Sequence, residues 1–112
     1  MNNLRNSVRL IGNLGADPDT KELNGGKKIS KFSIATSETY QDDDGKKVTD
    51  TQWHTIVAWG KQAEIVEKYL KKGSEVALAG KLVSRAYNDK EGVKRYVTEI
   101  MCNELVLLGK KP

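Results

Sequence analysis

One cysteine and one histidine are all that this 112-residue sequence offers for thiolate or imidazole chemistry. The lone Cys102 excludes an internal disulfide framework. Together with the lone His54 it excludes a Cys/His metal site built within one chain. Cys102 lies in an apolar, strand-like run, so it is expected to be a buried, inert thiol. No apolar run approaches the roughly 20 residues of a membrane span. The N-terminal MNNLRNSVR is polar and shows no signal segment. These absences lead to an expectation of a cytoplasmic protein in a reducing compartment, with no membrane partner, no metal and no cofactor. Aromatic residues make up only 6% of the chain, so any aromatic not needed by a core carries information.

What is present is a modest domain with a heavily charged surface. The length is that of one domain, taken as residues 1–112. Its core would be small enough for oligomerisation to help. Nineteen lysines and arginines against fifteen acids give a net charge of +4. That excess suits an anionic partner, although its distribution matters more than its size.

Asn6 to Leu14 alternates and is rich in Val, Leu and Ile, so it reads as a strand. Gly12 and Gly15 at its end mark a bulge, a bend or a close backbone approach. Asp17-Pro18-Asp19 is a turn, and Thr20 to Leu23 extends the first strand beyond it. Asn24-Gly25-Gly26 signals a hairpin. Lys28 to Tyr40 is a second strand, with Ile29, Lys31, Ser33, Ala35 and Ser37 on one face and Phe32, Ile34 and Thr36 on the other. Gln41 to Asp50 reads as a charged loop. Its aspartates lack the calcium-loop spacing, so a solvated hairpin tip is expected.

Thr51 to Lys61, TQWHTIVAWGK, is the stretch around which the chain is organised. Read as a strand, it places Trp53, Thr55, Val57 and Trp59 on one face and His54, Ile56 and Ala58 on the other. The second face packs a core. The first holds both tryptophans of the chain. It is either a stacking platform for flat ligands or a second packed face, since tryptophan is usually well buried. Lys61 to Lys71 is the one helical pattern, between Gly60 and Gly73, with Ala63, Ile65, Val66, Tyr69 and Leu70 as its apolar stripe. Tyr69 is accordingly expected in the core. Ser74 to Tyr87 and Arg95 to Leu108 are two long strands joined by an Asn88–Gly92 turn. A central Gly80 fits a strand that bends around a barrel.

Hairpin-like connections imply antiparallel pairing. Five strands with one helix between the third and fourth have the layout of an all-β, five-stranded antiparallel Greek-key barrel, the OB-fold. Fold alone does not establish function. Four aromatics fall outside the core and helix: Tyr40, Trp53, Trp59 and Tyr87. Such positions can form a discontinuous line around one surface. Lys31, Lys61, Lys81, Arg85, Lys94 and Arg95 interleave with them. Aromatics stack on bases at roughly 1–3 kcal/mol each, and cations track phosphates, so this pattern suits a single strand of nucleic acid. Duplex recognition would need an element for the major groove. The helix, with Glu64 and Glu67 against Lys68 and Lys71, is a poor candidate.

Five segments, VRLIGNLGADP (Val8–Pro18), FSIATSETY (Phe32–Tyr40), TQWHTIVAWGKQAE (Thr51–Glu64), YLKKGSEVALAGKL (Tyr69–Leu82) and RYVTEI (Arg95–Ile100), together closely resemble the bacterial single-stranded DNA-binding proteins. The resemblance implies a non-enzymatic protein that coats single-stranded DNA in replication, recombination and repair, near the nucleoid. It implies base stacking by Tyr40, Trp53, Trp59 and Tyr87. Family members often have tryptophan at the first and last of these positions and phenylalanine at the third. It marks Arg85 and Lys61 as phosphate contacts. It places His54 near a subunit interface and implies a homotetramer. Family members continue into a Gly/Pro/Gln-rich linker and an acidic tip that recruits replication and repair proteins. The sequence stops at Leu108-Gly109-Lys110-Lys111-Pro112, so recruitment through a tip is not assigned to this chain.

Two other classes remain to be weighed. A replication-restart scaffold of the PriB type would form a dimer and lack part of the stacking set, whereas all four positions are filled here. A barrel nuclease would want clustered carboxylates with a metal, or an acid/base pair. The carboxylates here lie in loops, in the helix or singly on strands. Stacking by itself does not separate DNA from RNA.

Overall fold

The computed structural model describes residues 5–108. The polar N-terminal residues 1–4 and the basic end, 109–112, lie outside the described residues. The chain runs β1 (Val8–Leu14), β2 (Asp19–Glu22), β3 (Lys28–Gln41), β4 (Lys47–Trp59), α1 (Lys61–Tyr69), β5 (Glu75–Asn88) and β6 (Lys94–Leu107). The strands pair in the order β1-β5-β6-β4-β3-β2, and a further β1–β3 pairing closes five of them into a barrel. Closure removes the open edges that a flat sheet of this size would leave. The expected OB-fold is therefore present.

Four details differ from the sequence reading. The segment after the Pro18 turn is a separate strand, β2, laid along β3 rather than an extension of β1. Residues 47–50, expected in a loop, continue the β3–β4 ladder, with Glu38 opposite Asp50 and Gln41 opposite Lys47. A ladder propagates through polar residues once register is set, because its bonds are backbone bonds. The sheet is not wholly antiparallel: β4 and β6 pair in parallel at Ile56–Ile100 and Val57–Met101, and this short contact seals the wall. Finally, β1 begins at Val8, because Asn6 acts through its side chain. The Asn6 amide accepts from Leu82 N at 2.8 Å and donates to Leu82 O at 3.0 Å, imitating a strand partner of β5.

Alternation decides what fills the barrel. Phe32 and Ile34 of β3, Ile56 and Ala58 of β4, Val76 and Leu78 of β5, and Ile100 and Cys102 of β6 all point inward and are buried with Leu14. Ala63 and Val66 of α1, with Leu70 just past its end, join the same cluster. Tyr69 does not: it is exposed, with Lys68 Nζ 5.4 Å from its ring centroid. Its place on the helix lies past the edge of the stripe that faces the barrel. Burial pushes the Cys102 thiol up to about 11, in keeping with an inert core residue.

Two glycines let backbone pass close to backbone. A Cβ on Gly80 would lie within 2.9 Å of the Met101 carbonyl carbon and 3.2 Å of Cys102 Cα, beside a register shift in the β5–β6 ladder. A Cβ on Gly12 would strike the Ala35 carbonyl. These are the bends that narrow the barrel.

Two hairpins run well past the barrel. The outer halves of β3–β4 and of β5–β6 are exposed on both faces. The Cα radius of gyration is 16.2 Å, against about 13 Å for a compact chain of this length. Both tips use one device. Asp42 Oδ1 accepts from the backbone of Asp44 and Lys46, and Asp89 Oδ1 from that of Glu91 and Val93. Gly45 and Gly92 then supply the positive φ that each turn requires.

Candidate nucleic-acid interface

The ladder registers assemble one continuous outer wall from β3, β4, β6 and β5. Ala35 stands opposite Trp53, Lys31 opposite Val57, and Ile29 opposite Trp59. Val57 is paired with Met101. Lys81 is opposite Met101, Val83 opposite Glu99, Arg85 opposite Val97 and Tyr87 opposite Arg95. Side chains at these positions leave the barrel on the same side. The wall thus gathers Trp53, Trp59 and Tyr87 with Lys31, Lys81, Arg85 and Arg95.

The open question about the two indoles turns on their exposure. Trp53 is 61% exposed and Trp59 is 41% exposed. Both open to solvent while Ile56 and Ala58, on the other face of the same strand, are sealed. Tyr40 and Tyr87 are exposed too. Trp53 has a seat. A Cβ on Gly15 would stand 2.5 Å from its Cζ3 and 2.7 Å from its Cη2, so the indole reaches across β3 and rests on the Gly15 backbone. Gly15 N is bonded to Ser33 O, which fixes that seat against β3. The indole is seated at its benzo ring, and most of it stays open to solvent.

Not every sequence candidate joins the wall. Tyr40 has the parity of Phe32 and Ile34, and Lys94 that of Tyr96 and Ile100. Both sit on the projecting hairpins, where either face meets solvent. Lys61 opens α1 at the barrel end, directly after Trp59 and Gly60. The expected discontinuous line of aromatics is therefore three residues on one wall with Tyr40 out on the β3–β4 arm. His54 is half-buried, and its Nε2 lies 3.0 Å from Thr36 Oγ1, as expected of a satisfied strand histidine.

The candidate cations differ in how free they are. Arg85 donates to Glu99 through Nε at 3.0 Å and Nη2 at 3.3 Å, and Lys31 Nζ is 3.3 Å from Glu99 Oε2. Arg95 donates to Asp89 Oδ2 at 2.9 Å. Lys94 Nζ lies 5.7 Å from the Tyr96 ring centroid. Among the described residues, Lys61 and Lys81 enter no ion pair. Two residues of the site were missed in the sequence. Tyr96 is the most exposed of the large hydrophobic side chains among the described residues. Its signal was available, because it directly follows two basic residues next to a hairpin tip. Glu99 was legible only as a single acid on a strand.

Comparison with known proteins agrees with this geometry. The model of the single-strand binding protein family matches residues 5–108. The chain is 50% identical over 107 residues to single-stranded DNA-binding protein 1 of Xylella fastidiosa, covering 95% of this chain and 79% of that protein. It is 47% identical to single-stranded DNA-binding protein 1 of Chlorobaculum tepidum over 95% of this chain and 66% of that one. For the single-stranded DNA-binding protein of Neisseria meningitidis the identity is 45%, and the chain spans 60% of its length. Among solved structures it superposes on the Plasmodium falciparum SSB in complex with ssDNA with a TM-score of 0.84 and 35% identity, covering 96% of this chain and 99% of that one. With an exposed indole wall on a five-stranded barrel, and a family match spanning the described residues, this chain belongs to the single-strand binding protein family.

Proposed function

We propose that the chain is a single-stranded DNA-binding domain without sequence specificity. It would coat exposed strands during replication, recombination and repair in the cytoplasm, at the nucleoid, and would make or break no bond. The observation that carries this reading is the pair of open indoles on β4 amid cations on one barrel wall. Bases stack on Trp53, Trp59 and Tyr87, and on Tyr40 where the strand meets the β3–β4 arm. Every base has a π face, so this recognition tolerates any sequence. Lys61 and Lys81 meet phosphates directly. Lys31, Arg85, Lys94 and Arg95 do so with the part of each head group that their neighbours leave open.

A homotetramer fits the rest of the surface. On the wall formed by β1, β5 and β6, Ile11 and Val106 are exposed large apolar residues on either side of Ala77. They line a shallow groove of about 700 Å3 with Arg9 and Glu104 at its edge. Burying such a patch between copies stabilises an assembly over which one strand can wind. Replication and repair proteins are the partners expected of the whole protein.

The test is titration of intrinsic tryptophan fluorescence with oligo-dT. Stacking on the two indoles quenches it, and added salt weakens binding through release of counterions. Absence of both quenching and binding at low salt refutes the reading.

A further inference from the structure

The DNA wall contains one carboxylate that stacking and phosphate contact do not use. Glu99 stands in the middle of β6 and is only 7% exposed. Arg85, on the adjacent strand β5, and Lys31, reaching from β3 across β4, both turn their charged groups onto it. The three meet in a recess of about 170 Å3 whose apolar lining includes Ile29, Val57, Val83 and Met101, with Trp59 at its rim. Hydrogen bonding from Arg85 is the leading cause that holds the Glu99 carboxyl below its ordinary range. Burial opposes it and Lys31 adds to it. Glu99 is therefore an anion at neutral pH, set into a wall that has to receive phosphates.

Stability does not demand an acid there. Replacing ion pairs with apolar side chains is often neutral or stabilising, and the recess around Glu99 is already apolar. Both cations are about half exposed, so they need no carboxylate to be accommodated. Of the five N–H groups of Arg85, two face Glu99, and of the three on Lys31, one does. Donors remain for a phosphate, but the net charge of the trio is one instead of two.

Resting on the proposed function above, we propose that Glu99 is an affinity-setting residue of the DNA wall. It positions Lys31 and Arg85 beside Trp59 and cancels one of their two charges, so that the strand is held loosely enough to be released and shifted.

The experiment measures oligo-dT binding by tryptophan quenching across a range of NaCl concentrations for three proteins. These are the wild type, Glu99→Gln, which keeps shape and an acceptor oxygen, and Glu64→Gln, which makes the same charge change on α1 away from the wall. Glu99→Gln is expected to bind about 3- to 10-fold more tightly at low salt, as one removed charge roughly 6–8 Å from a phosphate implies near solvent. Its slope of log K against log salt is expected to steepen by about 0.7, one more cation neutralised by the strand. Glu64→Gln is expected to stay near the wild type. Adding Arg85→Gln to Glu99→Gln returns the trio to a net charge of one and is expected to return affinity toward the wild-type value. Unchanged or weaker binding by Glu99→Gln, equal tightening by Glu64→Gln, or a Glu99→Gln protein whose thermal unfolding shows loss of the native fold each overturns the proposal. A wild type that gives no quench and no binding sinks the functional reading itself. A wild type that binds, with a Glu99→Gln variant that matches it, sinks only the role of Glu99.

Discussion

Gly15→Ala is a substitution outside the proposed contact residues that should impair DNA binding while sparing the fold. The new Cβ would stand 2.5 Å from Trp53 Cζ3. Carbon atoms in ordinary contact are about 3.5–4.0 Å apart, so the indole has to retreat by about 1 Å or more. It can do so cheaply, because Trp53 is mostly exposed and nothing seals its outer face. Gly15 has no left-handed φ to protect, so the backbone accepts alanine. The cost to folding is thus expected to be small, within about 1 kcal/mol, as for surface substitutions that meet a yielding neighbour. Binding has less tolerance. A well-stacked aromatic is worth roughly 1–3 kcal/mol per base, and a displaced, unsupported ring forfeits a large part of that. A loss of oligo-dT affinity of about five- to thirtyfold follows, as 1–2 kcal/mol implies. Quenching titrations of wild type, Gly15→Ala, Trp53→Ala and the double variant form a thermodynamic cycle. The effect of Gly15→Ala should vanish when Trp53 is already alanine, because the alanine then has no ring to push. Wild-type affinity for Gly15→Ala, or an undiminished loss in the Trp53→Ala background, would show that the seat does not position the indole.

Two further outcomes concern the barrel. Gly80→Ala sets a methyl group against the Met101 main chain, which cannot swing aside as a side chain does. Thermal or urea unfolding should show a loss of about 3 kcal/mol or more, at the upper end for overpacking, and a loss under 1 kcal/mol would mean that the β5–β6 bend is not held closed as described. Cys102, buried with its thiol pushed up to about 11, should react with a thiol reagent at pH 7.5 only after denaturation; prompt labelling of the native protein would place it at the surface.

Much of this molecule was legible as a string. Alternation in KISKFSIATSETY set Phe32 and Ile34 on one face, and in TQWHTIVAWGK it assigned Ile56 and Ala58 to the interior, because a strand sends neighbouring side chains to opposite faces whatever surrounds it. Gly12 and Gly15 signalled a bulge, a bend or a close approach, Gly80 a bend, and Asn24-Gly25-Gly26 a turn, because a missing Cβ opens these conformations and contacts. The same alternation placed Trp53 and Trp59 together, yet it left their exposure undecided, since a second packed face has an identical pattern.

The tertiary structure decided what depends on partners distant in sequence. Solvent reaches the indoles because, among the described residues, no element covers the β3–β4–β6–β5 wall, whereas Ala63, Val66 and Leu70 of the helical stripe are covered and Tyr69 is left outside. The parallel β4–β6 contact, the amide of Asn6 bonded across to Leu82, and the Gly15 seat under Trp53 all join residues dozens of positions apart. The fate of the cations was decided in the same way. Lys31, Arg85 and Glu99 come from three different strands, and charge interactions act through space and fall off with distance, so their mutual neutralisation leaves no trace in the spacing of the chain. Local stereochemistry determined the faces; closure of the barrel determined which of them meets water and which charges remain free to meet a strand.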